Sequence, residues 1–234
     1  MVREKIAVSE LSLELNPTPE RAREIQRQIR ESIVTEDSFE RLSTVGGADL
    51  AVLTHRKKLL CVIVVLTYPE LEEIERAWAM ADETFPYIPG YLSFREGPAI
   101  VKAWEKLKGK PDVLMFDGQG TAHPRGVGIA SHIGVALDTP AIGVAKKKLF
   151  GDYEEPASVR GSRSGLLHPK TGETIGAVLR TKNSVKPVFV STGHRVCLQT
   201  AIEITLGCWR GYRVPEPTRR ADIYAGEMKK SISQ

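Results

Sequence analysis

Val113-Leu114-Met115-Phe116-Asp117-Gly118-Gln119-Gly120, then Ile129–Leu137, then Ala141-Ile142-Gly143-Val144-Ala145-Lys146, is the stretch that decides the fold. Its first four residues are wholly apolar and stop at an acid. Such a run suits a short strand buried on both faces. Ile129–Leu137 reads as a buried helix, and Ala141–Ala145 as a second buried strand. A strand, a helix and a strand of this kind predict parallel neighbours in a sheet covered on both sides.

Upstream, Val45–Thr54 and Leu59–Thr67 are strand candidates joined by a polar turn around Arg56-Lys57, a hairpin. Leu71–Ala81 is ambiguous. Leu71, Ile74, Ala77 and Trp78 have helical spacing, and a third strand is the alternative. Gly97–Leu107 predicts a helix with Ile100, Ala103, Trp104 and Leu107 on one side. Earlier still, Thr18 can cap a helix whose first turn holds Pro19. Ala22, Ile25, Ile29 and Ile33 supply its apolar stripe. Downstream, Leu166–His168, Thr174–Arg180 and Pro187–Val190 read as strands, His194–Thr205 as a helix, and the tail beyond Pro215 as a short helix with frayed last residues. Between them, the Arg- and Ser-rich segment 155–165 reads as a loop. The expectation is one α/β domain over 1–234. Its central sheet is mixed, antiparallel at its start and parallel later, with helices on both faces.

Composition narrows the function classes. With 41% hydrophobic and 26% charged residues, the chain can bury a core without staples. Three cysteines, Cys61, Cys197 and Cys208, with no C-x-x-C, argue against a disulfide framework or a zinc knuckle and suit a reducing cytoplasm. Met1–Lys5 opens no apolar stretch, so no signal peptide is expected. No run reaches the ~18 apolar residues of a membrane span. The P-loop and H-E-x-x-H patterns are absent. A net charge of +4 is compatible with a polyanionic partner. The positive charge gathers at 54–58, Lys146-Lys147-Lys148 and Arg219-Arg220.

Acids at strand ends are the best chemical lead. Asp49 lies inside an apolar strand, a costly place for a charge without a partner or metal. Asp117 closes its strand at the edge where open α/β sheets place ligands. Glu96 precedes Gly97-Pro98 at an expected loop-to-helix junction. Each has a plainer explanation: Asp49 facing solvent, Asp117 forming a turn, Glu96 favouring a helix N-terminus. Together they would make a site for hard cations, and two such ions can promote phosphodiester hydrolysis. Lys146 is placed to hold a phosphate, and His123 to bind phosphate or orient a water. Either could equally be a surface residue.

Further blocks then carry a resemblance: Pro86-Tyr87-Ile88-Pro89-Gly90 with Phe94-Arg95-Glu96-Gly97-Pro98; Asp117–Gly120 with His123-Pro124-Arg125 and Gly128-Ile129-Ala130-Ser131-His132; Gly143–Lys146; and Pro215-Glu216-Pro217-Thr218-Arg219. In this order they resemble endonuclease V. The resemblance implies a ribonuclease-H-like fold and makes Leu71–Ala81 the third strand. It implies that Asp49, Glu96 and Asp117 bind catalytic magnesium, with manganese substituting. Asp222 falls on the last active-site position, and Lys146 and His123 match basic residues of the site. Pro86–Pro89 resembles the wedge that fills the gap left by an extruded base. Gly90, Gly118, Gly120 and Gly143, with Leu92 and Leu149 as apolar walls, are then expected to line a hypoxanthine pocket. There, backbone groups could read O6 and N1–H. The implied partner is inosine-containing DNA, double- or single-stranded, met by a cytoplasmic monomer. The implied cut falls at the second phosphodiester 3′ of the lesion, leaving a 3′-hydroxyl and a 5′-phosphate. An inosine-specific endoribonuclease, a junction resolvase of the same fold and a non-catalytic lesion-binding module are the rivals.

Overall fold

A computed structural model describes residues 16–233. The readings made on Met1–Lys5 and on Gln234 lie outside the described residues. Helix α1 (Pro19–Ser32) begins as expected, with Thr18 Oγ1 accepting from the Arg21 amide. Strands β1 (Thr44–Leu53), β2 (Lys58–Thr67) and β3 (Glu73–Asp82) follow as an antiparallel meander. Strand β2 is buried from Leu59 to Leu66 and sits inside the sheet, whereas β3 alternates and forms an edge. The strand reading of the ambiguous segment therefore holds.

Helix α2 (Leu92–Glu105) starts five residues before the expected Gly97. The reading from Pro98 was misleading. Ser93, Gly97, Ile100 and Trp104 form one buried helical stripe that carries the helix through the proline. Glu96 thus sits inside the helix, not at a junction. Then come β4 (Val113–Phe116), α3 (Ile129–Ala136), β5 (Ala141–Ala145), β6 (Arg163–Leu167), β7 (Thr174–Leu179) and β8 (Val188–His194). Helix α4 (Leu198–Gly207) begins four residues later than expected. His194 belongs to β8, where it pairs with Ala141, and Cys197 caps the helix. Helix α5 (Glu216–Ser233) has 18 residues and is not the short helix expected. Arg56 donates to the Ile232 carbonyl, and Tyr224 donates to Glu73, so contacts with the sheet extend it.

The eight strands lie in the order β3-β2-β1-β4-β5-β8-β7-β6. Only β1, β4 and β5 run parallel. The later half, expected to be parallel, is a second antiparallel meander. Helices α2 and α3 pack on one face against Ala48, Leu114 and Phe116, and α1 covers them from outside through Phe85, Tyr91 and Phe94. Helices α4 and α5 pack on the other face against Val45, Met115 and Val144. The mixed sheet with helices on both faces is the expected class. All three cysteines are free. Among the described residues, no helix is long and apolar enough to cross a membrane.

Candidate active site

Register brings the acids together. Ala48 on β1 stands beside Phe116 on β4 in parallel pairing. One step further, Asp49 and Asp117 leave the pair on the same sheet face, because side chains alternate with period two. By the same alternation Lys146, two residues beyond Val144, shares that face, which is the one covered by α5. Helix α5 reaches it because residue 47 is glycine. A Cβ there would lie 2.1 Å from the Pro217 carbonyl carbon. This close seat delivers Asp222 to the cluster. Lys146 Nζ lies 2.5 Å from Asp117 Oδ2 and 3.8 Å from Asp222 Oδ2. Glu96 approaches from α2 and interacts electrostatically with both Asp49 and Asp117.

Burial, then the charges of Asp117 and Asp222, push the Asp49 carboxyl up to about 8. Burial, reinforced by Asp117 and opposed by Arg95, lifts Glu96 to about 7. Burial works against the Lys146 ammonium, but Asp117, Asp222 and Asp49 outweigh it and hold its pKa above the ordinary value. Among the described residues, no three acidic, histidine or cysteine side chains close tightly enough to coordinate a metal as they stand. The chemistry of the donor set nevertheless fits a hard divalent cation. Its donors are all carboxylate oxygens, and its acids repel one another despite one ammonium in their midst.

This arrangement has a measurable consequence. Asp49 and Glu96 have folded values above their ordinary ones near 4. Between about pH 4 and 8 the native state therefore holds more protons than the unfolded chain, and stability falls as pH rises. In EDTA the melting temperature should drop by roughly 5 °C from pH 5 to pH 8. Millimolar magnesium should remove most of that slope. Parallel pH profiles with and without magnesium would discard the cation-site assignment.

Beside the acids lies a cleft of about 470 Å³. Tyr87, Ile88, Pro89 and Gly90 form one wall, and Leu92 with Ser93 the start of α2. Gly118, Gln119, His123, residues 127–129 and residues 145–149 complete it. Asp117 and Lys146 line the cleft and also belong to the acid cluster. Tyr87 is 65% exposed on the rim, with the Arg95 guanidinium 5.8 Å from its ring. Pro86 is exposed just outside the lining. Phe85 and Tyr91, both buried, pin the two ends of this loop. The Gly90 carbonyl accepts from Arg125 at 2.6 Å and from Gln26 at 2.9 Å. Gly90 has φ +84°, and a Cβ there would press on Arg125. Leu149 stands at the mouth, 44% exposed.

Two expectations need correction, on the glycines and on Glu96. Gly120 and Gly143 do not line the cleft. A Cβ on Gly120 would sit 2.0 Å from the Thr192 carbonyl oxygen, and one on Gly143 2.4 Å from the Gly120 amide. Backbone packs on backbone there, so bulk at Gly120 reports on folding and not on lesion choice. His123 lines the cleft with an uncharged ring. Burial, helped by Arg125, lowers it to about 4, and its ring holds the Gly90 carbonyl. Glu96 stands within a helix, as described above.

Sequence reading missed Gln119, Ser93, Arg125 and Arg213. Gln119 donates to the Lys147 carbonyl, leaving its buried Oε1 without a partner on the cleft wall. It stood in Asp117-Gly118-Gln119-Gly120, where Asp117 and the glycines attracted notice. Arg213 donates to the Lys146 carbonyl at 2.5 Å and to the Pro187 carbonyl at 2.8 Å, bracing the strand end that carries the lysine. No local pattern signals that contact.

Comparison with known proteins places the sequence and the fold. The family model described as Endonuclease V matches residues 27–223. The chain is 53% identical over 201 residues to Endonuclease V of Dictyoglomus thermophilum, covering 86% of each chain. The crystal structure of Endonuclease V from Streptomyces avermitilis superposes with a TM-score of 0.87 at 39% identity, covering 94% of this chain and 96% of that one. Ciona intestinalis Endonuclease V, in complex with a 24mer DNA containing an inosine followed by a ribo-adenosine, gives a TM-score of 0.78 at 30% identity. That match covers 88% of this chain and 95% of the other.

Proposed function

The chain belongs to the endonuclease V family, a nuclease of ribonuclease-H-like fold, and from this we propose that it cuts DNA strands on the 3′ side of deoxyinosine. One observation carries the reading: the cleft, roomy enough for a purine, and the acid cluster share Asp117 and Lys146. A base held in the cleft therefore leaves its own backbone running over the acids, and the resemblance to endonuclease V supports a cut on its 3′ side. The Ciona relative, bound to inosine-containing DNA, supports the choice of lesion.

Each residue has a task in this reaction. Tyr87, on a loop stiffened by Pro86 and Pro89, stacks into the gap as the base swings out. The cleft wall of Gly90, Leu92 and Gly118 lets a flat purine approach backbone groups. Asp49, Glu96 and Asp117 would hold the divalent cation, with Asp222 beside them. When bound, that cation activates water and stabilises the leaving oxygen. Lys146 neutralises charge on the phosphoryl oxygens as water adds to phosphorus. The bond from phosphorus to the 3′ oxygen breaks, giving a 3′-hydroxyl and a 5′-phosphate, at the second phosphodiester beyond the lesion.

A side-by-side cleavage assay tests this. Inosine-containing DNA should be nicked in magnesium about 10²-fold or more faster than its adenine counterpart, as expected where buried polar groups match only one of two bases. EDTA should stop the reaction. An RNA arm separates the endoribonuclease reading, since a ribonucleotide follows the inosine in the Ciona complex. Faster cutting of branched or hybrid duplexes than of inosine DNA would overturn the assignment.

A further inference from the structure

We propose that Tyr212 and Arg219 form a stacking platform for the nucleotides on the 3′ side of the cut, the part of the strand that leaves with the 5′-phosphate. The proposal rests on the reading of the site as an inosine-directed nuclease, and extends it to a second binding surface.

Tyr212 is 53% exposed. The Arg219 guanidinium lies 4.2 Å from the centroid of its ring. Arg219 is itself fixed, because Glu216 accepts from its Nε at 2.7 Å and from its Nη2 at 2.9 Å. Glu216 is only 4% exposed and also accepts from Arg220 at 2.8 Å. Glu216 is thus shared between two guanidinium groups, and Arg220 also lies 3.6 Å from Glu73, which leaves the Arg219 charge under the ring only partly balanced. An immobilised cation beneath an exposed ring suits a base above and a phosphate alongside.

Position supplies the rest. Arg219 precedes Asp222 by three residues on α5, so the two share a helix face one turn apart. Asp222 lies within 3.8 Å of Lys146 Nζ. Tyr212 adjoins Arg213, which holds the Lys146 carbonyl. The platform thus flanks the acid cluster on the α5 side of the sheet, whereas the cleft flanks it on the α2 and α3 side. In this proposal a strand with its base in the cleft and its phosphodiester on the acids continues towards Tyr212. Tyr87 with Arg95 stands at the lesion end as a second exposed ring with a guanidinium against it. The substrate strand is held at both ends by the same kind of contact.

The test uses single-stranded inosine oligonucleotides with a fixed 5′ flank. In one set the strand ends two nucleotides past the cut, and in the other eight. For Tyr212→Ala, KM on the long 3′ flank should rise roughly 5- to 20-fold, the scale of one lost base stack, and the effect should shrink to within about twofold on the short flank. Tyr212→Phe should behave as wild type, and equal melting temperatures exclude misfolding. A KM effect independent of 3′ flank length, or no effect on the long flank, overturns the platform. Wild-type cleavage of the long substrate is the separate control. If it shows no inosine preference, the proposed function fails and not the platform alone.

Discussion

Asp117→Asn should lower the nicking rate on inosine DNA by about 10³-fold or more while leaving binding of the same DNA within a few-fold of wild type. Asp117 is where two systems meet. It closes β4 beside Asp49, and it accepts from Lys146 at 2.5 Å. Its amide counterpart keeps the size but loses the charge that would hold the cation and orient the lysine. In the proposed reading, binding rests mainly on the Tyr87 loop and on the rest of the cleft wall, Gly90, Leu92 and Gly118. Stability separates this loss from misfolding. Asp117 raises both Asp49 and Glu96, so removing its charge relieves repulsion. The variant should melt no lower than wild type in EDTA. Fluorescence anisotropy on an inosine oligonucleotide, a nicking assay and a melt decide the matter. Normal nicking by the folded variant would end the assignment.

The parts of this site differ in how far sequence reveals them, for physical reasons. Strands β4 and β5 were legible to the residue, because a short, fully apolar run bounded by Asp117 or Lys146 admits few alternatives. The acids were legible as candidates, since a charge at the end of a buried strand requires an explanation. The start of α2 was not, because Pro98 reads as a first-turn residue until the stripe through Ser93 is seen packed. Nor could sequence divide the glycines. Gly90 needs a positive φ beside the cleft, whereas Gly120 and Gly143 need room for neighbouring backbone, and both demands look alike in a string. The length of α5 depends on Arg76 lying 3.6 Å from the Tyr224 ring centroid and on Arg56 reaching Ile232, contacts across the fold that no local window contains. The Arg213–Lys146 contact spans 67 residues and is hidden for the same reason.

Lys146→Met supplies the complementary result. Its stem can still pack, but the ammonium among Asp117, Asp222 and Asp49 is gone. The cleavage rate should fall by roughly 10²- to 10³-fold, as when one fixed charge-stabilising donor is removed from a transition state. Stability should move opposite to Asp117→Asn. Deleting the positive charge strengthens repulsion among the remaining acids, so the EDTA melting temperature should fall, and more at pH 8 than at pH 6. Magnesium should restore most of the loss of stability and little of the loss of rate, because a cation can balance the acids without replacing the contact to the phosphoryl oxygens. The two variants change the charge of one cluster in opposite directions. If both destabilised the protein in EDTA, or if magnesium left the Lys146→Met melt unchanged, the cluster could not be a cation site held together in part by its own lysine.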